Sequence, residues 1–346
     1  MRETLELKAR KIEMVLASHK IQARVEGGVV TPRYITFRVK PILGVRVERI
    51  KALAEEIALF LGESSCRIYR KDGFLSIEIP RRRPTPITLS SLCLKLKEVP
   101  PFSPILGVDE EGLPILVSLP SPDVTHILVA GTTGSGKTEL LRTMISSLAM
   151  YNPPKDLSIA LLDPKGRGFG VFEGLPHLLA PIATEPSEAI RLLKAVVEEM
   201  ERRDREGVKA CGAKLKVGEY YAPRLVVFVD ELAEMRVLGG KEVDELITRL
   251  AQRGRESGIH LVVATQKPTL EVLGTLARAN FPVRIVGKVT TPEEAKVASG
   301  IGGSGADKLL GRGDFILVGC GEVLRFQGAI VRPEEIKEII TRLKRR

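Results

Sequence analysis

The stretch GTTGSGKT at residues 131–138 constrains the fold of this chain more than any other feature. It matches the pattern G-x-x-x-x-G-K-[ST], in which glycines let successive backbone N–H groups point at phosphate oxygens. In this pattern Lys137 reaches the β- and γ-phosphates, and Thr138 offers its hydroxyl to Mg²⁺. An apolar run at 126–130 predicts a buried strand before the loop, and apolar residues at helical spacing follow it. A strand, a glycine-rich loop and a helix in this order predict a nucleotide-binding site.

The composition indicates a globular chain of one large or two medium domains, because it has 346 residues and 44% of them are hydrophobic. The longest apolar runs, such as 225–229 and 259–264, are strand-sized and far short of the ~18 residues that span a bilayer. The N-terminus mixes charges and lacks the apolar core of a signal peptide. We therefore expect no membrane span and a cytoplasmic location. The spacing of the cysteines predicts neither a zinc site nor a disulfide framework: they are Cys66, Cys93, Cys211 and Cys320.

The positive charge is concentrated in the N-terminal third. Residues 1–100 hold 20 Lys and Arg against 11 Asp and Glu, which accounts for +9 of the formal net charge of +10. A basic chain with a pI near 9.5 is compatible with a polyanionic partner such as nucleic acid, although many basic proteins have none.

The first 88 residues predict a small basic α+β domain. Apolar residues keep a helical spacing over 5–16 and 50–61, and alternation over 35–40 and 75–79 predicts half-buried strands. Prolines then surround three consecutive arginines at 81–83, which predicts either an exposed linker or an arm that contacts phosphates. We expect a linker over 89–102 and a second domain over 103–346.

The second domain predicts an α/β fold with a mostly parallel, doubly wound sheet, because apolar strands alternate with helices. The expected strands are 125–130, 157–163, 225–230, 259–265 and 283–288. Ligands bind such sheets at the carboxyl ends of the strands. Polar residues occupy these ends: Thr132, Asp163, Asp230 and Gln266.

The pair Asp230-Glu231 ends one of these apolar strands. Here Asp230 is expected to bind Mg²⁺, and Glu231 is expected to act as the base that polarises the attacking water. Gln266 ends a neighbouring strand, where its amide could contact the γ-phosphate or the same water. Arg253 and Arg255 are not obviously needed by a self-contained site, and phosphoryl transfer gains much from an arginine supplied in trans. Either arginine could instead be a solvated surface residue.

Several strings resemble the FtsK/SpoIIIE family of DNA translocases. The resemblance is carried by the phosphate-binding loop and by LLDPK at 161–165, GLPHLL at 174–179, VVFVDELAEM at 226–235, AQRGRESGIHLVVATQKP at 251–268, ANFPVRI at 279–285 and KLLGRGDF at 308–315. Upstream, the strings at 44–62 and 75–81 resemble the small α module that precedes the RecA-like β module of that motor. The resemblance covers nearly the whole chain.

This resemblance implies a RecA-like nucleotide-hydrolase core in a hexameric ring that threads double-stranded DNA and binds Mg²⁺ and ATP between subunits. The trans arginine of the family falls on Arg255, with Arg284 as a second candidate. The DNA-facing positions fall on Lys267, Arg278 and Lys296. Two features depart from the family pattern: TTPEE at 290–294 lacks a basic residue, and Glu256-Ser257 replaces small residues.

We expect a motor without the family's membrane-spanning N-terminus and without its C-terminal module that reads DNA sequence. Such a motor would follow phosphates without sequence preference. The alternatives are a conjugative or packaging coupling ATPase with membrane partners, and a DNA-binding ATP-dependent switch. The expected catalytic set is Lys137, Glu231, Arg255 and Gln266. The expected nucleotide and metal contacts are Gly131, Thr132, Thr133, Gly134, Ser135, Gly136, Lys137, Thr138, Glu139, Asp163 and Asp230.

Overall fold

The computed structural model describes residues 2–71, 73–81, 84–212, 221–274 and 281–345. The chain divides into two compact units, Met1–Pro86 and Ile87–Arg346. The segment 89–102, which we expected to be a linker, falls within the second unit. Leu89 and Phe102 lie at the two ends of this segment, and both are buried in the core of that unit.

The first unit is an α+β domain whose antiparallel sheet has helices on one face. Its sheet has the strand order β1-β2-β4-β3. Its elements are α1 (Arg2–Ser18), β1 (Ala23–Val30), β2 (Tyr34–Pro41), α2 (Val47–Lys51), α3 (Ala54–Leu61), β3 (Arg67–Lys71) and β4 (Phe74–Pro80). The apolar spacing over 50–61 predicts one helix, but the chain forms two, because a break at residues 52–53 leaves the apolar spacing intact.

The alternation of the strands places one side of the sheet in the core of this unit. Phe37, Val39 and Ile77 point inward from β2 and β4, and they meet Ile12 of α1 and Ile57 of α3. The alternating and helical spacings therefore converge on one apolar cluster, as binary patterning requires.

The second unit contains a mixed sheet with the strand order β6-β5-β15-β14-β13-β7-β12-β11-β8. The strands of this sheet are β5 (Ile105–Asp109), β6 (Pro114–Leu116), β7 (Ile127–Ala130), β8 (Leu157–Leu162), β11 (Arg224–Val229), β12 (Ile259–Thr265), β13 (Val283–Val286), β14 (Asp314–Gly319) and β15 (Glu322–Gly328). A short parallel pair lies apart from it: β9 (Lys209–Ala210) and β10 (Tyr221–Ala222).

The helices of the second unit pack on both faces of the sheet and form two apolar clusters with it. They are α4 (Leu89–Cys93), α5 (Lys137–Tyr151), α6 (Pro186–Glu206), α7 (Leu232–Arg253), α8 (Leu270–Leu273), α9 (Pro292–Ser299) and α10 (Pro333–Lys344), with short 3₁₀ turns at Gly170–Phe172 and Ala306–Lys308. Helix α7 is kinked at Gly240.

The α/β fold expected from the sequence is confirmed, and the parallel half of the sheet consists of the strands that the apolar runs predicted. Strands β13, β7, β12, β11 and β8 pair in parallel, with Thr265 opposite Ala130. The sheet then continues through antiparallel strands β14, β15, β5 and β6, which we did not predict. The carboxyl ends of the parallel strands meet at one edge, where ligands bind in such sheets.

Candidate nucleotide site

The phosphate-binding loop joins the end of β7 to the start of α5. Gly136 is the residue before the helix and has φ 103°, which favours glycine. A Cβ on Gly136 would lie 2.7 Å from the backbone nitrogen of Gly313, because the segment before β14 packs directly on the loop. That segment donates backbone hydrogen bonds from Arg312 to Gly134 (3.0 Å) and from Gly313 to Ser135 (2.7 Å). The segment before β14 therefore fixes the loop at the start of α5, where helix N-termini bind phosphate.

The ammonium of Lys137 lies inside this loop. Its Nζ donates to the carbonyl oxygens of Gly131 (2.6 Å) and Thr132 (3.0 Å). Burial lowers the pKa of Lys137 from 10.5 to about 8; Glu231 and Asp230 oppose the shift, and Lys165 adds to it. A cation that loses hydration on burial is available to bind a phosphate without first giving up water.

Thr138 and Asp230 lie together where a divalent cation would be expected. The Thr138 hydroxyl donates to Asp230 Oδ1 at 3.1 Å. Burial is the main cause that raises the pKa of Asp230, and the charges of Asp163 and Glu231 raise it further, whereas Thr138 and Lys137 lower it. The carboxylates thus concentrate negative charge beside a hydroxyl.

Asp163 adds a further oxygen to this cluster. Its Oδ2 accepts hydrogen bonds from the backbone nitrogens of Gly168 and Phe169, both at 2.8 Å. Its Oδ1 is buried and accepts no hydrogen bond within the described part of the chain. Hydroxyl and carboxylate oxygens are the ligands that Mg²⁺ prefers, and this ion takes few of them from protein. The donor set of Thr138, Asp230 and Asp163 therefore fits Mg²⁺.

Glu231 lies one residue beyond Asp230 and is directed by the neighbouring strand β12. Its buried carboxylate accepts hydrogen bonds from the Thr265 hydroxyl (2.9 Å) and from the backbone nitrogen of Gln266 (3.1 Å). It also accepts from Ala233 N (3.3 Å), which makes Glu231 the N-cap of α7. The carboxylate is therefore held in one orientation at the edge of the sheet that carries the loop.

Gln266 is brought to the phosphate-binding loop, where the sequence placed it. Its Oε1 accepts a hydrogen bond from the hydroxyl of Thr133 at 2.6 Å. The same residue bonds Glu231 through its backbone, so it connects the expected base to the loop.

Two basic residues of this site were missed by our sequence analysis. Lys165 forms ion pairs with Glu234 (3.1 Å) and, more loosely, with Glu231 (4.0 Å). Arg142 of α5 donates from Nε to the carbonyl oxygen of Gly168 (2.8 Å) and forms an ion pair with the partly exposed Glu139 (2.8 Å). Arg142 therefore ties the loop after β8 to α5, and Asp163 ties the same loop to the end of β8. Lys165 is the last residue of the string LLDPK, which resembles the family, but the resemblance of the string did not indicate what Lys165 does.

A cavity of about 440 Å³ extends from the loop toward the antiparallel half of the sheet. Beyond the loop residues, its walls include Leu140 of α5, Phe315 of β14 and Ile330 after β15. The ring of Phe315 stacks on Phe326 with centroids 5.5 Å apart. An apolar cavity next to a phosphate-binding loop fits the base and ribose of a nucleotide.

Arg255 is not near the loop of its own chain. Arg255 lies four residues before the first residue of β12, and Gln266 directly follows the last. Because β12 is parallel to β7, the loop after β7 lies at the Gln266 end of β12. Seven extended residues span about 23 Å, so Arg255 and the loop lie at opposite ends of the sheet. Arg253 pairs with Asp204 at 2.7 Å, and Arg284 is buried in β13 with 8% of its surface exposed.

The expected DNA contacts are exposed where they can be described. Lys267 follows Gln266 and is exposed, and Lys296 is exposed on α9. Arg278 lies outside the described residues.

Family comparisons agree with this arrangement. The model of the FtsK/SpoIIIE family matches residues 96–220 and 207–270. The model of the FtsK alpha domain matches residues 1–81. The chain belongs to the FtsK/SpoIIIE family. It is therefore a member of a P-loop ATPase family, which accounts for the nucleotide loop and the carboxylates around it.

Curated relatives carry the same family name. DNA translocase FtsK of Lactiplantibacillus plantarum is 33% identical over 363 residues, covering 99% of this chain and 45% of that protein. DNA translocase SpoIIIE of Bacillus subtilis is 34% identical over 354 residues, covering 96% of this chain and 44% of that protein. The chain thus spans about half the length of the curated relatives it matches.

Solved structures show the same fold. The conjugation coupling protein TcpA of pCW3, solved as a monomer with ATPγS, has a TM-score of 0.65 at 20% identity, covering 96% of this chain and 99% of that one. The cytoplasmic domain of the type VII secretion ATPase EccC from Thermomonospora curvata has a TM-score of 0.62 at 25% identity, covering 75% of this chain and 34% of that one. None of the helices in the described residues is long and apolar enough to cross a membrane.

Proposed function

We propose that this chain is an ATP-driven translocase of double-stranded DNA that works as a hexameric ring and needs Mg²⁺. The observation that carries the proposal is the separation of Arg255 from its own phosphate-binding loop by the length of β12. The loop, the expected base and the expected Mg²⁺ ligands lie together, whereas Arg255 lies at the other end of β12, and such a site is completed when a second subunit supplies its Arg255. The names of the curated relatives support the choice of DNA as substrate.

Each residue of the site has a role in this proposal. Lys137 binds the β- and γ-phosphates, and Thr138 with Asp230 holds Mg²⁺, which neutralises phosphate charge when it is bound. Glu231 accepts a proton from the attacking water, and Gln266 orients the γ-phosphate or that water. The hydrogen bonds from Thr265 and Gln266 orient Glu231 for this task.

We infer that the exposed cations Lys267 and Lys296 contact DNA. Lys267 directly follows Gln266 in the chain, which places a DNA contact next to the hydrolysis site. Contacts to phosphates carry no sequence information, and affinity should therefore fall steeply with salt. Because ATP and DNA are both available in the cytoplasm, we propose that the motor works there.

Two assays test the proposal. Linear duplex DNA should raise ATP turnover strongly, and the protein should displace a third strand from a triplex as it moves along the duplex. Lys137→Ala should abolish both activities. Slow turnover that is the same with and without DNA, and no triplex displacement, would instead favour an ATP-dependent switch.

A further inference from the structure

The turn that carries Arg255, residues 254–258, has little backbone freedom. The backbone nitrogen of Gly254 donates to Leu250 O and that of Ile259 donates to Gly254 O, both at 2.7 Å. A Cβ at Gly254 would lie 2.5 Å from Leu250 O and 2.7 Å from Ile259 O, so only glycine fits. The backbone therefore sets the direction in which Arg255 leaves the protein.

Asp204, in the last turn of α6, binds Arg253 just before this turn and Ser257 within it. Its Oδ2 pairs with Arg253 at 2.7 Å, and its Oδ1 accepts a hydrogen bond from the hydroxyl of Ser257. Ser257 is buried, with 1% of its surface exposed. A carboxylate at the carboxyl end of a helix meets the negative end of the helix dipole, which is unfavourable. The bonds to Arg253 and Ser257 offset this cost. Asp204 therefore stabilises the turn and does not stabilise the end of α6.

Arg203 holds the same turn through its backbone. Its guanidinium is buried, with 4% of the residue exposed, and Nη1 donates to the carbonyl oxygens of Ser257 (2.9 Å) and Pro223 (3.0 Å). Its Nε donates to Glu199 at 2.7 Å. Charge-assisted bonds of a planar guanidinium fix geometry as well as energy. The turn is thereby tied to α6 and to the start of β11.

Arg255 alone among these groups is left free to act elsewhere. It is exposed, and in the part of the chain that the structure describes its guanidinium has neither an ion pair nor a hydrogen bond. We propose that Asp204, Arg203 and Ser257 are positioning residues that hold the 254–258 turn so that Arg255 enters the nucleotide site of a neighbouring subunit. This inference rests on the proposed function.

The inference also explains one departure from the family pattern. Ser257 belongs to the pair that departs from the family pattern, and its hydroxyl donates to Asp204. Glu256, its neighbour, is exposed. The substitution therefore adds a connection to α6 at a buried position, and it leaves the exposed side of the turn to Arg255.

The test compares ATP turnover of full-length variants with saturating duplex DNA. Asp204→Asn should lower kcat roughly ten- to a hundred-fold and Ser257→Ala several-fold, because a misplaced catalytic group costs rate even when it is present. KM for ATP should change little, because the ATP loop of the same subunit is untouched. The matched control is Glu201→Gln, which breaks a 2.7 Å pair to Arg249 across the same two helices away from the turn and should retain wild-type turnover.

Mixing separates positioning from loss of folding. An equimolar mixture of Asp204→Asn with Glu231→Gln should regain activity, because the Asp204 variant keeps a sound hydrolysis site and the Glu231 variant keeps a sound Arg255 turn. A mixture of Asp204→Asn with Arg255→Ala should turn over ATP no faster than expected from the two variants measured separately. Absence of rescue by Glu231→Gln would overturn the inference and indicate a general structural role.

The two levels of the proposal can fail separately. If Arg255→Ala loses activity but Asp204→Asn and Ser257→Ala match Glu201→Gln, the positioning inference is wrong and the proposed function stands. If Arg255→Ala keeps full turnover, the proposed function itself is wrong.

Discussion

The ammonium of Lys165 lies close to two carboxylates, one in α7 and one at the N-cap of that helix. It is 3.1 Å from Glu234 and 4.0 Å from Glu231, and its side chain is about one-third exposed. A cation in this position orients the expected base, and it would add positive charge near phosphates that bind the loop, because its charge also acts on Lys137.

We therefore predict that Lys165→Met lowers kcat about tenfold, because it removes the charge but keeps the length of the side chain. Lys165→Arg should retain most of the activity. Steady-state ATP turnover with duplex DNA measures both variants. A Met variant with wild-type kcat would show that Lys165 does not contribute to hydrolysis.

The buried ammonium of Lys137 predicts a pH dependence of nucleotide binding. Its pKa of about 8 means that the charged form is lost as the pH rises through 8, while ATP favours that charged form. Above this pKa, each unit rise in pH should therefore weaken ATP binding by a factor that approaches about ten. Lys137 should take up a proton when ATP binds. Calorimetric titration between pH 7 and pH 9 measures both effects. Lys137→Ala should bind weakly at every pH, and the same slope in that variant would refute the assignment.

At the scale of elements, the antiparallel hairpin of β14 and β15 forms one wall of the cavity. Phe315 is fully buried, stacks on Phe326 and lines the cavity beside the loop. Phe315→Ala should cost about 3 to 5 kcal/mol of unfolding free energy and should also weaken ATP binding. Val323→Ala, on the exposed side of the same hairpin, should change the unfolding free energy by less than about 0.5 kcal/mol. Chemical denaturation and ATP titration of both variants test this; equal effects would contradict it.

The elements differ in how far the sequence could predict them. Strands β7, β8, β11, β12 and β13 were predicted within two residues at either end, because fully buried parallel strands are continuous apolar runs. Strand β13 ends at Val286, two residues before the prediction. Strands β14 and β15 were not predicted: β14 was known only as part of KLLGRGDF, and β15 mixes charged and apolar residues. Their role as the wall of the nucleotide cavity depends on pairing that no local pattern encodes.

The site shows the same division. Lys137, Thr138, Asp230 and Glu231 follow from a motif and from a strand end, and the structure brings them together. Lys165 and Arg142 could not be assigned in this way, because their partners are set by how the loop after β8 folds back on α5. The distance of Arg255 from its own loop likewise depends on the direction of β12 relative to β7.

On the scale of the whole molecule, the chain consists of two compact units, and the nucleotide site lies entirely in Ile87–Arg346. The division falls after Pro86, at the end of the proline-containing segment 80–86. The basic first unit is matched by the family's alpha-domain model, and its excess charge is available to a polyanion.

The central claim is that two subunits complete each hydrolysis site. Glu231→Gln and Arg255→Ala remove opposite halves of such a shared site, so each protein alone should be inactive while both bind ATP. Mixed in equal amounts with duplex DNA, they should regain a measurable fraction of wild-type turnover, since some interfaces then contain both intact halves. Turnover of the mixture no higher than that of the separate variants would contradict the claim.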